Sequence, residues 1–559
     1  MPKPAIQIGQ QVFQTLQSAQ QHHVRGALDQ AIKLYKDVLR AAPNLPDALH
    51  LLGVAELQKG NFEKSEQLLT RAAKLLPENA EVHTNLGAVL RKRSETDRAI
   101  HSYREAIRIN PRLIEAHYNL GLLYYDQKEF ELAVASYEAA LKYEPGNVEV
   151  LVNLGAAFKA LAQAGKQHWT KVVACYERAL FYKPDLVEAY ANIGAVCQDR
   201  DWVYSAVLMY DKALSIDPKK VQYHFRRAPN ALALGDLQKG WSDYEYRFQS
   251  EDRPYARRAG PPYWAGEDLA GKKVFVWPEQ GLGEQILFGS MLPELAERGC
   301  KVVVESKPRL AKVFERSFPT VEIISRDCDT NGHVDPGDAD VQQCLTSLGQ
   351  FFRPNFESFP PVGGFLKADP EKRAAMLSRY REMAAGRKIV GISWLSRNEK
   401  FGQLKSTDLI DWAPILKAPG VFFVNLQYGD CREALAKVRD QLGVEIYQDA
   451  DVDPMGDLDD FFTQVSVMDL VISTSNTTVH VSGALNVPTW LVLPRGPGAL
   501  WYWFRGRETS PWYPSFRIFR QLDRVDVNAP WAELLERLAT ALSRWNSAPA
   551  GAPGVGPVQ

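Results

Sequence analysis

Small, apolar and aromatic positions recur with a fixed beat along the first half of the chain, and that beat predicts paired helices. Asn-Leu-Gly stands at Asn85–Gly87, Asn119–Gly121 and Asn153–Gly155, a period of 34 residues, and Asn192-Ile193-Gly194 follows 39 residues later. With Gly87 as position 8 of a unit, Ala99 falls at 20, Tyr103 at 24, Ala106 at 27 and Pro111 at 32. The same frame gives Ala133, Tyr137, Ala140 and Pro145 after Gly121, and Ala206, Tyr210, Ala213 and Pro218 after Gly194. After Gly53 it gives Ser65, Leu69, Ala72 and Pro77. Small residues at 8, 20 and 27 let two helices approach, and the ring at 24 fills the space beside them. Proline at 32 ends the second helix. A fixed period of this length means a helical hairpin stacked on copies of itself.

About seven units run from near Gln11 to Arg253. The fifth carries a five-residue insertion around Gln163–Gln167, read as a longer inter-helix loop. The last, Gly235–Arg247, is atypical, as expected where a stack is capped or joined to another domain. The frame resembles the tetratricopeptide repeat, which implies an α-solenoid that binds protein segments. Asn85, Asn119, Asn153 and Asn192 share position 6 of the first helix, the helix that lines the concave face of such a stack. A column of carboxamides there offers donors and acceptors to a peptide backbone. It resembles the asparagine ladder of the eukaryotic O-linked N-acetylglucosamine transferase. Helix-surface asparagines within a repeat consensus are the plain alternative.

After Pro254–Pro262 the period changes. Lys273–Trp277 reads as a strand, Gly281–Gln285 as a glycine-rich turn, Ile286–Arg298 as a helix and Lys301–Glu305 as a second strand, with Val321–Ile324 as one more. Strand, turn, helix, strand is a β-α-β unit on a parallel sheet. A second unit begins at Lys388–Trp394 and continues through Val421–Leu426, Leu470–Thr474 and Thr489–Leu493. A helix from Thr478 to Leu485 lies between the last two strands, and Ala532–Trp545 closes the chain. Two such units in tandem place a cleft between their strand carboxyl ends. The expected division is 1–253 for the solenoid, 254–385 and 386–546 for two Rossmann-like domains, and 547–559 for a Gly/Pro/Ala-rich disordered tail.

Composition narrows the function classes. The 559 residues carry a net charge of −1, so no basic field points to nucleic acid. No window approaches 18 apolar residues and the N-terminus lacks a signal core, which makes a cytoplasmic, non-spanning protein the expectation. The six cysteines include no C-x-x-C pair and read as reduced thiols.

The segment Asp469–Pro494, DLVISTSNTTVHVSGALNVPTWLVLP, resembles the nucleotide-sugar site of bacterial heptosyltransferase-like glycosyltransferases of the GT-B fold. The GLGEQ turn resembles their N-terminal glycine loop. WPEQGLGEQILF, NLQYGD and SPWYPSFRIFRQ resemble the subgroup with tetratricopeptide repeats fused in front. The implied fold is an α-solenoid followed by a GT-B pair of Rossmann-like domains. The implied activity is transfer of a sugar from a nucleotide-sugar to a protein hydroxyl without a metal or other cofactor. Flagellin is the implied acceptor and a nonulosonic acid one implied sugar. UDP, ADP, GDP and CMP donors all stay open. A non-catalytic repeat adaptor and a transferase acting on a lipid-linked glycan are the alternatives.

The same resemblance gives residues their roles. Glu284, after Gly281 and Gly283 and before Gln285, stands where the family has its general base, usually Asp. A carboxylate within reach of the acceptor hydroxyl would take its proton. A first-turn carboxylate that only caps the helix is the structural alternative. Ser475, Asn476, Thr477, Thr478 and His480 would hold the donor phosphate at a helix N-terminus, where unpaired N–H groups favour an anion. Many relatives have Asp-Thr where Ser475-Asn476 stand, and an N-cap cluster with a structural histidine is the other reading. Lys405 would stabilise the departing phosphate, with Arg397 and Lys400 as rivals. Gln427, Gly429 and Asp430, with Tyr428, are candidates for base or ribose contacts. Trp501, Trp503, Trp512 and Tyr513 read as core packing rather than sugar stacking. Asp-x-Asp pairs such as Asp327/Asp329, Asp338/Asp340, Asp451/Asp453 and Asp457/Asp459 are too cheap a pattern to imply a metal.

Overall fold

Glycine at position 8 of the third, fourth and fifth repeats lets a ring of the second helix lie directly on the backbone of the first. A Cβ on Gly87 would stand 2.7 Å from Tyr103, one on Gly121 2.5 Å from Tyr137, and one on Gly155 2.8 Å from Tyr176. The hairpins so built pair Ala80–Lys92 with Thr96–Ile109, Ile114–Asp126 with Phe130–Tyr143, and Val148–Gln163 with Trp169–Tyr182. Tyr103, Tyr137 and Tyr176 are buried, as are the small residues Ala99, Ala106, Ala133, Ala140 and Ala179. Asn79 and Asn147 cap two of the first helices by accepting from the backbone N–H of Val82 and Val150. This is a computed structural model; it describes residues 9–165, 168–250, 259–279, 281–326, 336–397, 402–496, 498–522 and 531–547. The expected tail beyond Ser547 lies outside the described residues.

The insertion in the fifth unit is not only a longer loop. Val148–Gln163 has 16 residues where Ile114–Asp126 has 13, so three of the added residues (16 − 13) extend the helix. The run Ala156–Gln163 contains neither glycine nor proline, so nothing stops the helix earlier.

The chain forms two compact units, Met1–Val196 and Cys197–Gln559. The second begins with the last helices of the repeat array, Val203–Ile216, Val221–Leu234 and Leu237–Tyr244, the last followed by a 3-10 turn at Glu245–Phe248. Gly235 takes φ 85°, the left-handed conformation that closes the helix before it. Two parallel sheets follow. The first contains β1 (Lys273–Trp277), β2 (Lys301–Ser306), β3 (Val321–Ser325) and β4 (Val341–Cys344), in the order β3-β2-β1-β4. The second contains β5 (Lys388–Ser393), β6 (Val421–Asn425), β7 (Leu470–Thr474), β8 (Thr489–Leu493) and β9 (Phe516–Arg520), in the order β6-β5-β7-β8-β9. Every pairing is parallel, and each sheet has the strand-order reversal of a Rossmann-like fold. The reversals lie between β1 and β4 and between β5 and β7. Ligand crevices in such sheets open at the carboxyl ends of those strands.

The structure differs from the sequence expectations at three places in this unit. Gly281–Gln285 is not a loop, because a helix runs from Leu282 to Gly289 with Gly281 at its N-cap. The helix expected to reach Arg298 stops at Gly289 and restarts at Leu292–Ala296. Pro293 has no N–H and its ring would clash with the Gly289 carbonyl. β4 and β9 are strands beyond those expected, and the hydrophobic pattern does not announce β4. β4 is short and carries Gln342 and Gln343 in a fully buried stretch.

One apolar cluster runs from the last repeat (Leu237, Trp241, Tyr244) through β1 and the helix Leu282–Gly289 to Val479, Val481, Tyr502 and Trp503. Trp241 Nε1 donates to Arg353 O at 2.9 Å, and a Cβ on Gly349 would collide with its ring. Arg247, buried with Glu279, donates from Nε to both carboxylate oxygens at 2.9 Å. That pair fixes the atypical last repeat to the end of β1, directly before the glycine-rich helix start.

Candidate functional site

The helix Leu282–Gly289 and the helix Thr477–Ala484 meet at their N-terminal turns. A Cβ on Gly283 would stand 2.7 Å from His480 Cδ2, so this glycine is what permits the approach. The first helix extends from the carboxyl end of β1 and the second from that of β7, so both turns lie at the crevices that the strand orders define.

Glu284 occupies the third helical position after Gly281, where a carboxylate caps a helix start. Its Oε2 lies beside Gly281, and its Oε1 accepts from the Tyr502 hydroxyl at 3.4 Å. Capping and chemistry are therefore both open to it. Lys405 ends the short helix Gly402–Lys405 and is 3 % exposed. Burial pushes its amine down to about 8, and Glu284 pulls the other way. His480 is buried, and its Nδ1 lies 3.1 Å from the Tyr513 hydroxyl. Burial, with Lys405 nearby, pushes the imidazole down to about 3, so it is neutral at physiological pH. Burial and then Glu284 raise the Tyr502 and Tyr513 phenols well above their ordinary range, which keeps both as hydroxyl donors. The result is a half-buried carboxylate, a buried amine and neutral buried donors, a setting in which a charge acts more strongly than in water.

The other proposed donor contacts divide into two groups. Ser475 is buried and accepts from Trp503 Nε1 at 2.9 Å, and Thr477 is half-buried at the helix start. Thr478 donates its backbone N–H to Asn476 Oδ1 at 3.0 Å, and its hydroxyl lies 3.4 Å from Leu426 O. Asn476 is the N-cap. Its Oδ1 accepts from Thr478 N and Ser473 Oγ, while its Nδ2 donates to Ser393 Oγ at 2.7 Å and Leu395 O at 2.9 Å. Gln427 is equally engaged, its Oε1 accepting from Ser393 Oγ, Trp394 N and Leu395 N at 2.8–3.0 Å. These two amides stitch the β5, β6 and β7 ends together and shape the site from behind. Gln285 also lies in the framework, buried, with Oε1 3.4 Å from Lys307 N.

Gly429 takes φ 87° with the Arg397 guanidinium lying over it, and Asp430 is exposed and paired with Arg432 at 2.6 Å. Asp430 is not brought to the Glu284–Lys405 group. Of the three cationic candidates, Lys405 lies within electrostatic reach of Glu284, Arg397 is exposed beside Gly429, and Lys400 lies outside the described residues. Trp503, Trp512 and Tyr513 are buried in the core around the site. Sequence reasoning missed Tyr502. The run Trp501-Tyr502-Trp503 stands out only for its rings, and no spacing rule announces that its central hydroxyl meets a carboxylate 218 residues away.

Among the described residues no group of three or more His, Cys, Asp or Glu side chains is placed to share an ion. Asp338, Asp451, Asp457 and Asp459 are paired with Lys273, Arg379, Lys312 and Arg316. Asp327/Asp329 lie outside the described residues. No helix among them is long and apolar enough to cross a membrane.

In the first unit, Asn85, Asn119, Asn153 and Asn192 are all half-buried on successive first helices. Asn119 and Asn153 donate to the carbonyls of Glu115 and Glu149 at 2.9 Å, and Asn153 also to Tyr118 Oη at 3.2 Å. Asn85 Nδ2 lies 2.9 Å from His50 Nε2.

Family models for the repeat match residues 25–88 (tetratricopeptide repeat), 89–128 (TPR repeat) and 114–147 (tetratricopeptide repeat). Residues 25–147 carry tetratricopeptide repeats. Protein FlbA of Caulobacter vibrioides is 36% identical over 337 residues, which is 57% of this chain and 54% of FlbA. The chain thus spans about half the length of that curated relative. Among solved structures, MamA is 25% identical over 32% of this chain and 96% of its own, with a TM-score of 0.29. Pseudomonas aeruginosa pilF is 21% identical over 36% of this chain and 89% of its own, with a TM-score of 0.32.

Proposed function

We propose that the protein is a glycosyltransferase that moves a sugar from a nucleotide-sugar to a hydroxyl of a protein acceptor recruited by its tetratricopeptide repeats. The observation that carries this function is the approach of the two N-terminal helix turns at Gly283 and His480, with Glu284 on one of them within electrostatic reach of buried Lys405. A donor diphosphate or phosphate would lie against Lys405 and the Ser475–Thr478 turn, where N–H groups and hydroxyls favour an anion. Glu284 would take the acceptor proton as the acceptor oxygen bonds to the anomeric carbon and the bond to the phosphate oxygen breaks. The negative charge leaving on the nucleotide would be met by Lys405, with no metal in the scheme. Asn476 and Gln427 would hold the turn rather than touch the donor. Flagellin is the first acceptor to test, with a nonulosonic acid among the candidate sugars, and the cytoplasm is the proposed compartment. Asn85, Asn119, Asn153 and Asn192 would bind the acceptor backbone.

A non-catalytic adaptor is the second reading. It is favoured by how closely Gly283 and His480 pack and by the internal bonding of Asn476 and Gln427. The deciding experiment supplies UDP-, ADP-, GDP- and CMP-sugars alone, with a candidate acceptor protein, and with a lipid-linked glycan. Nucleotide release that depends on the protein supports the proposed function. No release with any donor leaves the adaptor, and release only with lipid-linked glycan assigns the acceptor differently. Changing the four asparagines to alanine should weaken acceptor capture, and undiminished capture would remove the ladder.

A further inference from the structure

The loop after β8 touches the candidate site with one side and the repeat array with the other. On the site side, Tyr502 donates to Glu284 and Trp503 donates to Ser475, with the Trp503 ring stacked on His480 at 5.4 Å and 22°. On the repeat side, the Trp501 ring lies 5.3 Å from Trp241. Arg505 donates its backbone N–H to Ala233 O at 2.7 Å and its Nη2 to Asp201 Oδ1. Asp201 follows the helix Val187–Asp199, which carries Asn192, and belongs to the same compact unit as the sheets.

The loop is held under strain. Phe504 takes φ 45°, a conformation that costs a bulky residue energy and persists only when its surroundings enforce it. Arg520 supplies part of that enforcement, donating Nη2 to the carbonyls of Trp503 at 2.6 Å and Phe504 at 2.5 Å. Arg520 and Arg505 repel one another, and Asp201 is the anion that offsets them. Asp201 itself stands at φ 63°, where asparagine is also tolerated.

We propose that Asp201, on the repeat side, is a positioning residue for the candidate site: through Arg505 it holds the strained loop that presents Tyr502 to Glu284. This rests on Glu284 being the base of the proposed transfer. The repeats would then both recruit the acceptor and set the site.

The test is a double-mutant cycle of Asp201→Asn and Tyr502→Phe on the full chain, read by donor kcat and KM and by hydrogen exchange of residues 499–505 and 282–289. Asp201→Asn should lower kcat about tenfold with donor KM within about twofold, and should add little in the Tyr502→Phe background. Asp201→Glu should recover part of the loss, and exchange at 499–505 should quicken in Asp201→Asn. Unchanged kcat, or losses that simply multiply in the double variant, would overturn the proposal. If the wild-type protein releases no nucleotide from any donor, it is the transferase function that fails. Exchange then decides the coupling alone: quickening at both segments keeps it and no change removes it.

Discussion

Replacing Lys405 by Met should abolish turnover and make the protein more stable. The amine is 3 % exposed and is pushed from 10.5 down to about 8. At about 1.36 kcal/mol for each tenfold change in proton affinity, the fold disfavours the charged amine by about 3 kcal/mol. That figure already contains the attraction to Glu284. Met keeps the unbranched stem and omits the charge, and imperfect repacking returns about 1 kcal/mol. The expected net gain at pH 7 is about 2 kcal/mol, or about 2–4 °C in the transition of the second unit. The pH dependence fixes the cause. The folded value lies below the unfolded one, so at pH 7 the amine is charged in both states and the full penalty is present. Between pH 8 and 10.5 the folded state releases the proton first. The unfolded state then binds more protons and wild-type stability rises relative to the variant. Thermal melts of both proteins at about pH 7 and about pH 10.5 should therefore show a gap that closes. A variant less stable than wild type at neutral pH, with no change in the gap on alkalinisation, would refute the buried-charge account. Wild-type kcat/KM for the donor should also fall as pH rises through about 8, where the cation is lost.

Four further outcomes follow from the same structure. Glu284→Gln should lower kcat by about 10²–10⁴ while nucleotide-sugar binding persists by calorimetry. Arg247→Ala should cost about 3–5 kcal/mol, because it strands buried Glu279, and the double variant with Glu279→Ala should recover part of the loss in thermal melts. Gly121→Ala should cost about 1–3 kcal/mol, since the new Cβ would lie 2.5 Å from the Tyr137 ring. That change should appear in the melting of the repeats. Asn476→Ala should lower stability by about 1–2 kcal/mol through loss of the cap and its bonds to Ser393 and Leu395, seen as a lower melting temperature.

The repeats were legible because their signal is periodic and its cause is local. Glycine at 8 and the ring at 24 meet within one hairpin, and the frame survives the insertion because Tyr176 still reaches Gly155. The parallel strands were legible because buried runs such as Val302–Val304 are continuous. β4 was not, since Gln342 and Gln343 are buried by bonds to Pro261 O and Trp264 O that no local pattern reveals. β9 alternates Phe516, Arg517, Ile518 and could have been read as a strand. In the candidate site, residue types singled out the two helix-start turns, and only the hydrogen-bond partners separate framework side chains from the rest. Asn476 and Gln427 look like ligand-binding amides until Ser393, Trp394 and Leu395 are seen to use them. Tyr502, Asp201 and Arg505 carry no motif, and their importance comes from contacts hundreds of residues apart in the chain.

Intact-protein mass spectrometry of candidate acceptors, flagellin first, tests the central claim most directly when the gene is deleted and restored with either wild type or Glu284→Gln. The account predicts that an acceptor loses the mass of a sugar on deletion, regains it with the wild-type chain, and does not regain it with Glu284→Gln. An acceptor mass unchanged by deletion, or restored equally by both chains, would contradict it.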